Sequence, residues 1–205
     1  SVPGAGAWLT APPTNDGRAI DAPLFKVSLK RRLRVQLFSG NSACPCCGTA
    51  MDKWGDHALT CACHGDRTVR HNSIRNILYE EAMDASLRPE REKAGLLPGR
   101  PLEDGLPATD SARRPADIWV PRGHRGDREA LDFAVTSGLR SDLYRRVLED
   151  SNCVFDLYES HKRAYKQTEE LCSQQGLRFT PMIIEAHGGG WSPTFRAVVD
   201  WIARN

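Results

Sequence analysis

Between residues 23 and 38, apolar positions recur at close to helical spacing through Leu24, Val27, Leu33 and then Leu37 or Phe38, while Lys26, Lys30, Arg31, Arg32 and Arg34 fill the other face. The pattern predicts a basic amphipathic helix, preceded by a Gly/Pro/Ala-rich arm over residues 1–21. A second helical period begins near Arg67. It sets His71, Ile74, Ile77, Leu78, Glu81 and Ala85 on one stripe, so two polar side chains, His71 and Glu81, lie on an otherwise apolar face. After Pro89 the period shortens. Residues 91–97 predict a strand and residues 98–112 a Pro/Gly-rich loop. Two apolar runs, 114–120 and 130–136, flank a polar loop and predict a β-hairpin. Helical patterning resumes at Ser141 and, with a break at 150–152, runs to a stop at Gly176. Residues 179–185 predict a buried strand. Beyond the turn 187–190, Ser192 caps a closing helix with Pro193 at its first position, and Phe195, Val198, Val199 and Ile202 form its inner face. The order helix, strand, strand, strand, helix, strand, helix is that of an α/β layered domain with a mixed sheet.

Composition narrows the class. The chain has 205 residues and is 40% apolar, enough for a real core, which excludes extensive disorder and fibrous classes. No apolar run approaches the roughly 20 residues of a membrane helix, and the start has no basic n-region. The expectation is therefore no membrane partner. The chain opens on Ser1 with no initiator Met, and the expectation is a portion of a longer protein.

Net charge is only +2, but it is unevenly spread. Residues 1–40 carry six basic side chains against two acidic ones, so this front segment is the part suited to phosphate contact. Of the seven cysteines, five lie between Cys44 and Cys63. An odd, clustered set beside histidines fits intracellular metal ligation better than disulfides.

Cys44-x2-Cys47-x9-His57-x3-Cys61 supplies three thiolates and one imidazole. The first pair makes a tight turn with both sulfurs facing one ion, and the His-x3-Cys pair spans one helical turn. Tetrahedral Zn²⁺ accepts such a set, and four protein ligands leave no open position, so the ion is expected to be structural. Cys46, Cys63 and His64 are near enough to replace a neighbour. Cys153 and Cys172 fall in helical sequence as small packing residues.

The hairpin runs carry one carboxylate each, Asp117 and Asp132. Strand alternation puts Asp117 with Trp119 on one face, and Asp132 with Ala134 and Thr136 on one face. Paired strands bring the two aspartates together. Two close carboxylates repel, and Mg²⁺ or Mn²⁺ with hard oxygen ligands relieves the repulsion.

Arg114-Pro-Ala-Asp117 followed by a strand bearing Asp132 resembles the signature of PD-(D/E)xK nucleases. More specifically, the chain from about residue 41 onward resembles the restriction-like endonuclease domain at the C-terminal end of non-LTR retrotransposon proteins. The resemblance rests on motif order: the Cys44, Cys47, His57, Cys61 knuckle, then Arg70-His71-Asn72, then the two acids. It implies a restriction-endonuclease-like core of helix, three-stranded meander, helix and strand behind the knuckle. It also implies an acid near the first strand, best matched by Glu92, with Glu90 and Glu81 as competitors. The pattern's Lys, two residues past the second acid, is replaced by Ala134. In this branch the Lys comes from the following helix in a Lys-and-Tyr motif, matched by His161-Lys162-Arg-Ala-Tyr165-Lys166, with Lys162 favoured and Lys166 a rival.

The chain thus divides into an arm and basic helix (1–40), a zinc knuckle (41–65) and a nuclease domain (66–205). The resemblance implies a nuclear enzyme that nicks duplex DNA to prime reverse transcription, with element RNA and a reverse transcriptase domain of the same polyprotein as further partners. Asp117, Asp132 and Glu92 are the expected acids, Lys162 and Tyr165 the expected helix-borne groups. Lys30, Arg31, Arg32, Arg34, Arg70 and His71 are the expected nucleic-acid contacts. The alternative is a zinc-stabilised binding module whose nuclease site has decayed.

Overall fold

A computed structural model describes residues 4–12, 19–61, 63–98, 114–139 and 143–205. Most of the expected loop 98–112 and the helix start at Ser141 lie outside them. Among the described residues, no helix is long and apolar enough to cross a membrane.

The molecule is a mixed α/β structure around a four-stranded sheet. β3 (Glu90–Arg91), β4 (Ile118–Val120), β5 (Arg128–Thr136) and β6 (Leu177–Glu185) lie in that order; the first two pairings are antiparallel and β5 pairs with β6 in parallel. Ahead of the sheet come α1 (Ala22–Arg32), a small ladder of β1 (Ser42–Ala43) and β2 (Ala50–Met51), α2 (Asp56–Thr60) and the long α3 (Asp66–Asp84). The parallel pairing requires a crossover. It is made by α4 (Tyr144–Glu149), α5 (Cys153–Ala164) and α6 (Thr168–Gln174), and α7 (Pro193–Ile202) closes the chain.

Alternation along β5 builds two cores. Leu131 and Phe133 join Ile118, Val120 and Met182 against Leu78 and Ala82 of α3 and Phe195, Val198 and Ile202 of α7. Ala134 points the opposite way, with Ile183, against Val154 and Phe155 of α5. Ala130 faces Cys172 of α6 and Phe179. Each fully buried large apolar side chain contributes roughly 1.5–3 kcal/mol, so the β5 and β6 centre is the strongest part of the fold.

Several elements differ from the sequence expectation. α1 ends at Arg32 because Arg34 takes a left-handed backbone (φ 54°), and the N–H groups of Leu37 and Phe38 donate to Lys53 O at 2.8 and 3.1 Å. Its apolar positions are not a buried face: Leu24, Val27 and Leu33 are exposed. On α3 the inward stripe is Ile74, Leu78, Ala82 and Ala85, while Ile77, a single residue and about 100° from Leu78, is exposed. Of the strand expected over 91–97 only Arg91 lies in β3, since Glu92 turns left-handed (φ 46°); Leu97 is buried without being in a strand. The helix expected to continue to Gly176 breaks at Lys166 and Gln167, both left-handed. The break at 150–152, the stop at Gly176 and the Ser192 cap, whose hydroxyl accepts from Phe195 N at 3.2 Å, are found where the sequence places them.

Candidate functional site

The first candidate is the cysteine cluster. A turn led by Gly48 (φ 72°), with Cys44 N donating to Thr49 O at 2.8 Å, sets Cys44 and Cys47 side by side. His57 lies on α2 and Cys61 on its C-terminal cap, with Cys61 N donating to His57 O at 2.8 Å. The four ligand atoms lie within 4.8 Å of one another. Cys44 Sγ is 4.0 Å from Cys61 Sγ, and Cys47 Sγ is 3.1 Å from His57 Nε2. Edges of about 3.8 Å are what a tetrahedral zinc with bonds of about 2.3 Å to sulfur requires, so the donor set fits that ion.

Electrostatics agree. Hydrogen bonds from the Thr49 hydroxyl and backbone hold the Cys47 thiol down to about 6. A hydrogen bond from Cys63 N–H favours the Cys61 thiolate, but burial and the neighbouring Cys47 and Cys44 sulfurs outweigh it and push Cys61 up to about 12. Three crowded thiols cannot all ionise alone; a divalent cation removes that obstacle. Of the alternates, Cys63 packs beside the cluster, Cys46 is exposed, and the side chain of His64 lies outside the described residues.

Asp52, which the sequence reading did not single out, positions α2. Its carboxylate accepts from the N–H groups of Trp54, Asp56 and His57 at 2.9–3.1 Å. Burial pushes its carboxyl up, yet those three donors together hold it below its ordinary range. The available signal was an acid ahead of a Gly-led short helix.

The second candidate is the pair of aspartates. Ile118 pairs with Leu131, so Asp117 and Asp132 are the next opposed positions, and Asp117 N donates to Leu131 O at 2.9 Å. Ile118 and Leu131 both point into the α3 and α7 core, which puts both aspartates on the opposite face, toward α5. Asp117 accepts from Phe133 N at 2.7 Å through Oδ2, and its Oδ1 is 2.9 Å from His71 Nε2. Lys162 Nζ, reaching in from α5, is 2.8 Å from Asp132 Oδ2. Burial pushes the Asp132 carboxyl up to about 6; Lys162 pulls it down and Asp117 pushes it further up. The hydrogen bond to Asp117 raises the His71 imidazole.

The other expected site residues are placed elsewhere. Glu92 N donates to Asp117 O at 3.0 Å, but its carboxylate pairs with Arg75 and, at 3.0 Å, with Arg114. Glu90 pairs with Lys93 at 2.7 Å, and Glu81 sits on α3 just before the buried Ala82. Among the described residues, the cysteine cluster is the one group of three or more His, Cys, Asp or Glu ligand atoms so close together, so the expected third acid does not join the aspartates. Tyr165 is displaced too. Past the end of α5 it is exposed and stacks on His161 at 5.9 Å, with Lys166 over its ring at 5.1 Å. Lys162, not Lys166, is the lysine at the acids.

The basic residues expected to contact nucleic acid mostly have internal partners. Arg31 donates to Gly55 O at 3.1 Å, Arg32 to Gly188 O at 3.3 Å and Arg70 to Leu59 O at 2.8 Å. Arg34 pairs with Asp56 at 2.7 Å and lies over the Trp54 ring. His71 faces Asp117 rather than the outside. Lys30 lies in the last turn of α1.

Compared with protein-family models and with curated proteins, the chain matches none.

Proposed function

We propose that this chain is a metal-dependent DNA endonuclease domain that nicks duplex DNA, with a restriction-endonuclease-like core and a structural zinc knuckle. One observation carries the reading: Asp117 and Asp132 oppose each other at the open end of a hairpin, with Lys162 at 2.8 Å from the second acid. A half-buried carboxylate pair has no stabilising value of its own, because like charges in a partly desolvated site repel. A site that keeps one is suited to a divalent cation.

Asp117 and Asp132 are the residues that would hold Mg²⁺ or Mn²⁺. When bound, such an ion polarises a phosphodiester and lowers the pKa of an attacking water. The protein's own groups do the positioning. Phe133 N–H fixes one oxygen of Asp117 and His71 the other, which sets the direction of that carboxylate. Lys162 supplies a positive charge beside Asp132 that can stabilise charge developing on phosphate oxygens. The knuckle, tied to α3 through Arg70 and to α1 through Arg31 and Arg34, orders a segment that has little apolar core of its own. The nicked 3′-hydroxyl would serve as primer for a reverse transcriptase on element RNA, in a nuclear setting.

A second reading is a decayed module that binds nucleic acid without cutting it. Glu92, neutralised by two arginines, and Ala134 in place of the motif lysine favour it. Supercoiled plasmid with Mg²⁺ or Mn²⁺ separates the two. The expected result is nicking by the wild type and at least a hundredfold loss in Asp117→Ala, about the scale of one lost metal-ligand or electrostatic group. No nicking by the wild type, or equal nicking by the variant, overturns the endonuclease.

A further inference from the structure

The loop between β4 and β5, residues 121–127, lies at the other end of the hairpin from the aspartates. Residues 121–128 carry Arg122, Arg125 and Arg128, all exposed, against one acid, Asp127, and that acid is already paired with Arg178. Exposed Arg88, which follows α3, lines the same open cleft of about 570 Å³ as Arg122. Arg88 and Arg122 have no side-chain partner among the described residues. A second cleft of about 570 Å³ opens on the other side of His124, lined by Arg125 and by two ion pairs, Arg178 with Asp127 and Arg163 with Glu169. The tip therefore carries positive charge without an acid partner among the described residues, Arg88 and Arg122 on one flank and Arg125 on the other.

The loop is also rigidly built. Glu129 is completely buried, and a buried carboxylate is tolerated only with donors around it. It accepts from His124 N at 2.9 Å, from His124 Nδ1 at 2.7 Å and from the Thr180 hydroxyl at 2.5 Å. Gly123 is required beside it: a Cβ there would lie 1.9 Å from Glu129 Oε2. Gly123 N donates to Asp127 O at 2.7 Å and Gly126 N to Gly123 O at 2.9 Å, closing the turn. A buried anion thus anchors the base of a loop whose outer surface is cationic.

We infer that this hairpin tip, with Arg88 beside it, is a binding surface for the phosphate backbone of duplex DNA. The inference rests on the proposed reading of the chain as acting on duplex DNA. Charge complementarity names the occupant, and a loop backbone already closed by its own hydrogen bonds has less ordering cost to meet on binding than a mobile one. It also moves the grip: on α1 and just after it, Arg31, Arg32 and Arg34 have partners within the protein, whereas among the described residues Arg88 and Arg122 have none. From Arg128 to Asp132 the strand advances about 14 Å at about 3.4 Å per residue. One DNA strand covers that axial distance in about four nucleotides. A duplex lying along β5 would therefore meet the tip about four nucleotides from the acids.

The test is duplex-DNA binding by the full chain, read by fluorescence anisotropy over a salt series with zinc retained and no other divalent cation added. Arg122→Gln/Arg125→Gln is expected to weaken binding at least tenfold and to flatten the log-log salt slope by about 2, roughly 0.9 for each lost phosphate contact. Arg88→Gln/Arg122→Gln, which leaves Arg125 on His124, is expected to do the same, with melting temperature and zinc content unchanged in both. Wild-type affinity and slope in both variants overturns the inference. So does a loss seen for single-stranded RNA but not duplex DNA, or a loss that follows Lys26→Gln/Lys30→Gln instead. Because no catalytic cation is present, the two proposals fail separately: tip-dependent binding without nicking overturns the endonuclease alone.

Discussion

The knuckle and the sheet each gather groups that repel one another, but they do so by opposite means. The knuckle has three buried core residues, Cys44, Met51 and Cys61, and strands of two residues each. Beyond short turns, the Asp52 carboxylate and a few arginine contacts, little in it holds the ligands together, so the ion it fits would supply most of its stability. The sheet has large apolar cores on both faces and forces Asp117 and Asp132 into opposition with no ion needed. Here the fold makes the site. Metal binding should therefore stabilise the first region by most of its folding free energy, and the second by relief of a local penalty.

The largest effect should come from zinc removal. Structural zinc contributes on the order of 10 kcal/mol in small knuckles, so chelation, or Cys61→Ser, should abolish protection of knuckle amides. Amides of Phe133 and Ile183 should stay protected from hydrogen exchange. Collapse of both regions in one transition would show that they are not independent, and metal analysis should return about one zinc per chain.

Phe133→Ala reverses the experiment. It is expected to cost about 3–5 kcal/mol in urea unfolding, through a cavity beside Phe195, while zinc content is retained. A loss of zinc on this substitution would contradict the contrast.

Asp132→Asn should stabilise. A carboxyl whose folded pKa is raised from 3.8 to about 6 destabilises the native state above that range, and the penalty is absent below the unfolded value. The variant's melting temperature should exceed the wild type's by a few degrees at pH 7, and the gap should close near pH 4. Equal melting temperatures at pH 7 would contradict a local penalty at Asp132, since the raised carboxyl already includes the pull of Lys162. The smallest effect is Ser192→Ala, expected to cost about 1 kcal/mol by loss of the cap on α7 with both candidate sites intact.

How much of this was legible in sequence follows from the range over which each feature is encoded. The ligand quartet, the Gly176 stop and the Ser192-Pro193 start depend on residues within a turn of one another, and spacing alone reveals them. The inward face of α3 is only partly legible, because a one-residue step rotates a stripe by about 100°, and the exposed Ile77 fits the helical spacing as well as its buried neighbour Leu78. Glu92 and Tyr165 were misplaced for a common reason. Each has the right separation in sequence, but the backbone leaves its regular path at the residue itself, Glu92 by a left-handed φ of 46° and Tyr165 by a ψ of 117° that ends α5, and no composition rule announces it. α1 looked amphipathic, yet what its arginines touch is set by Gly55, Asp56 and Gly188, remote in sequence.

By itself, then, the sequence determined the mixed α/β order, the Cys44, Cys47, His57, Cys61 donor set and the two opposed aspartates of the hairpin. Only the tertiary structure decided that Lys162 reaches Asp132, that His71 turns to Asp117, that Glu92 is taken by Arg75 and Arg114, and that Glu129 is buried beneath an arginine-bearing loop. The physical reason is the same throughout. Ligand spacing and helix caps are short-range geometry, whereas the partner of a charged side chain is chosen by register and crossover, which bring together residues tens of positions apart.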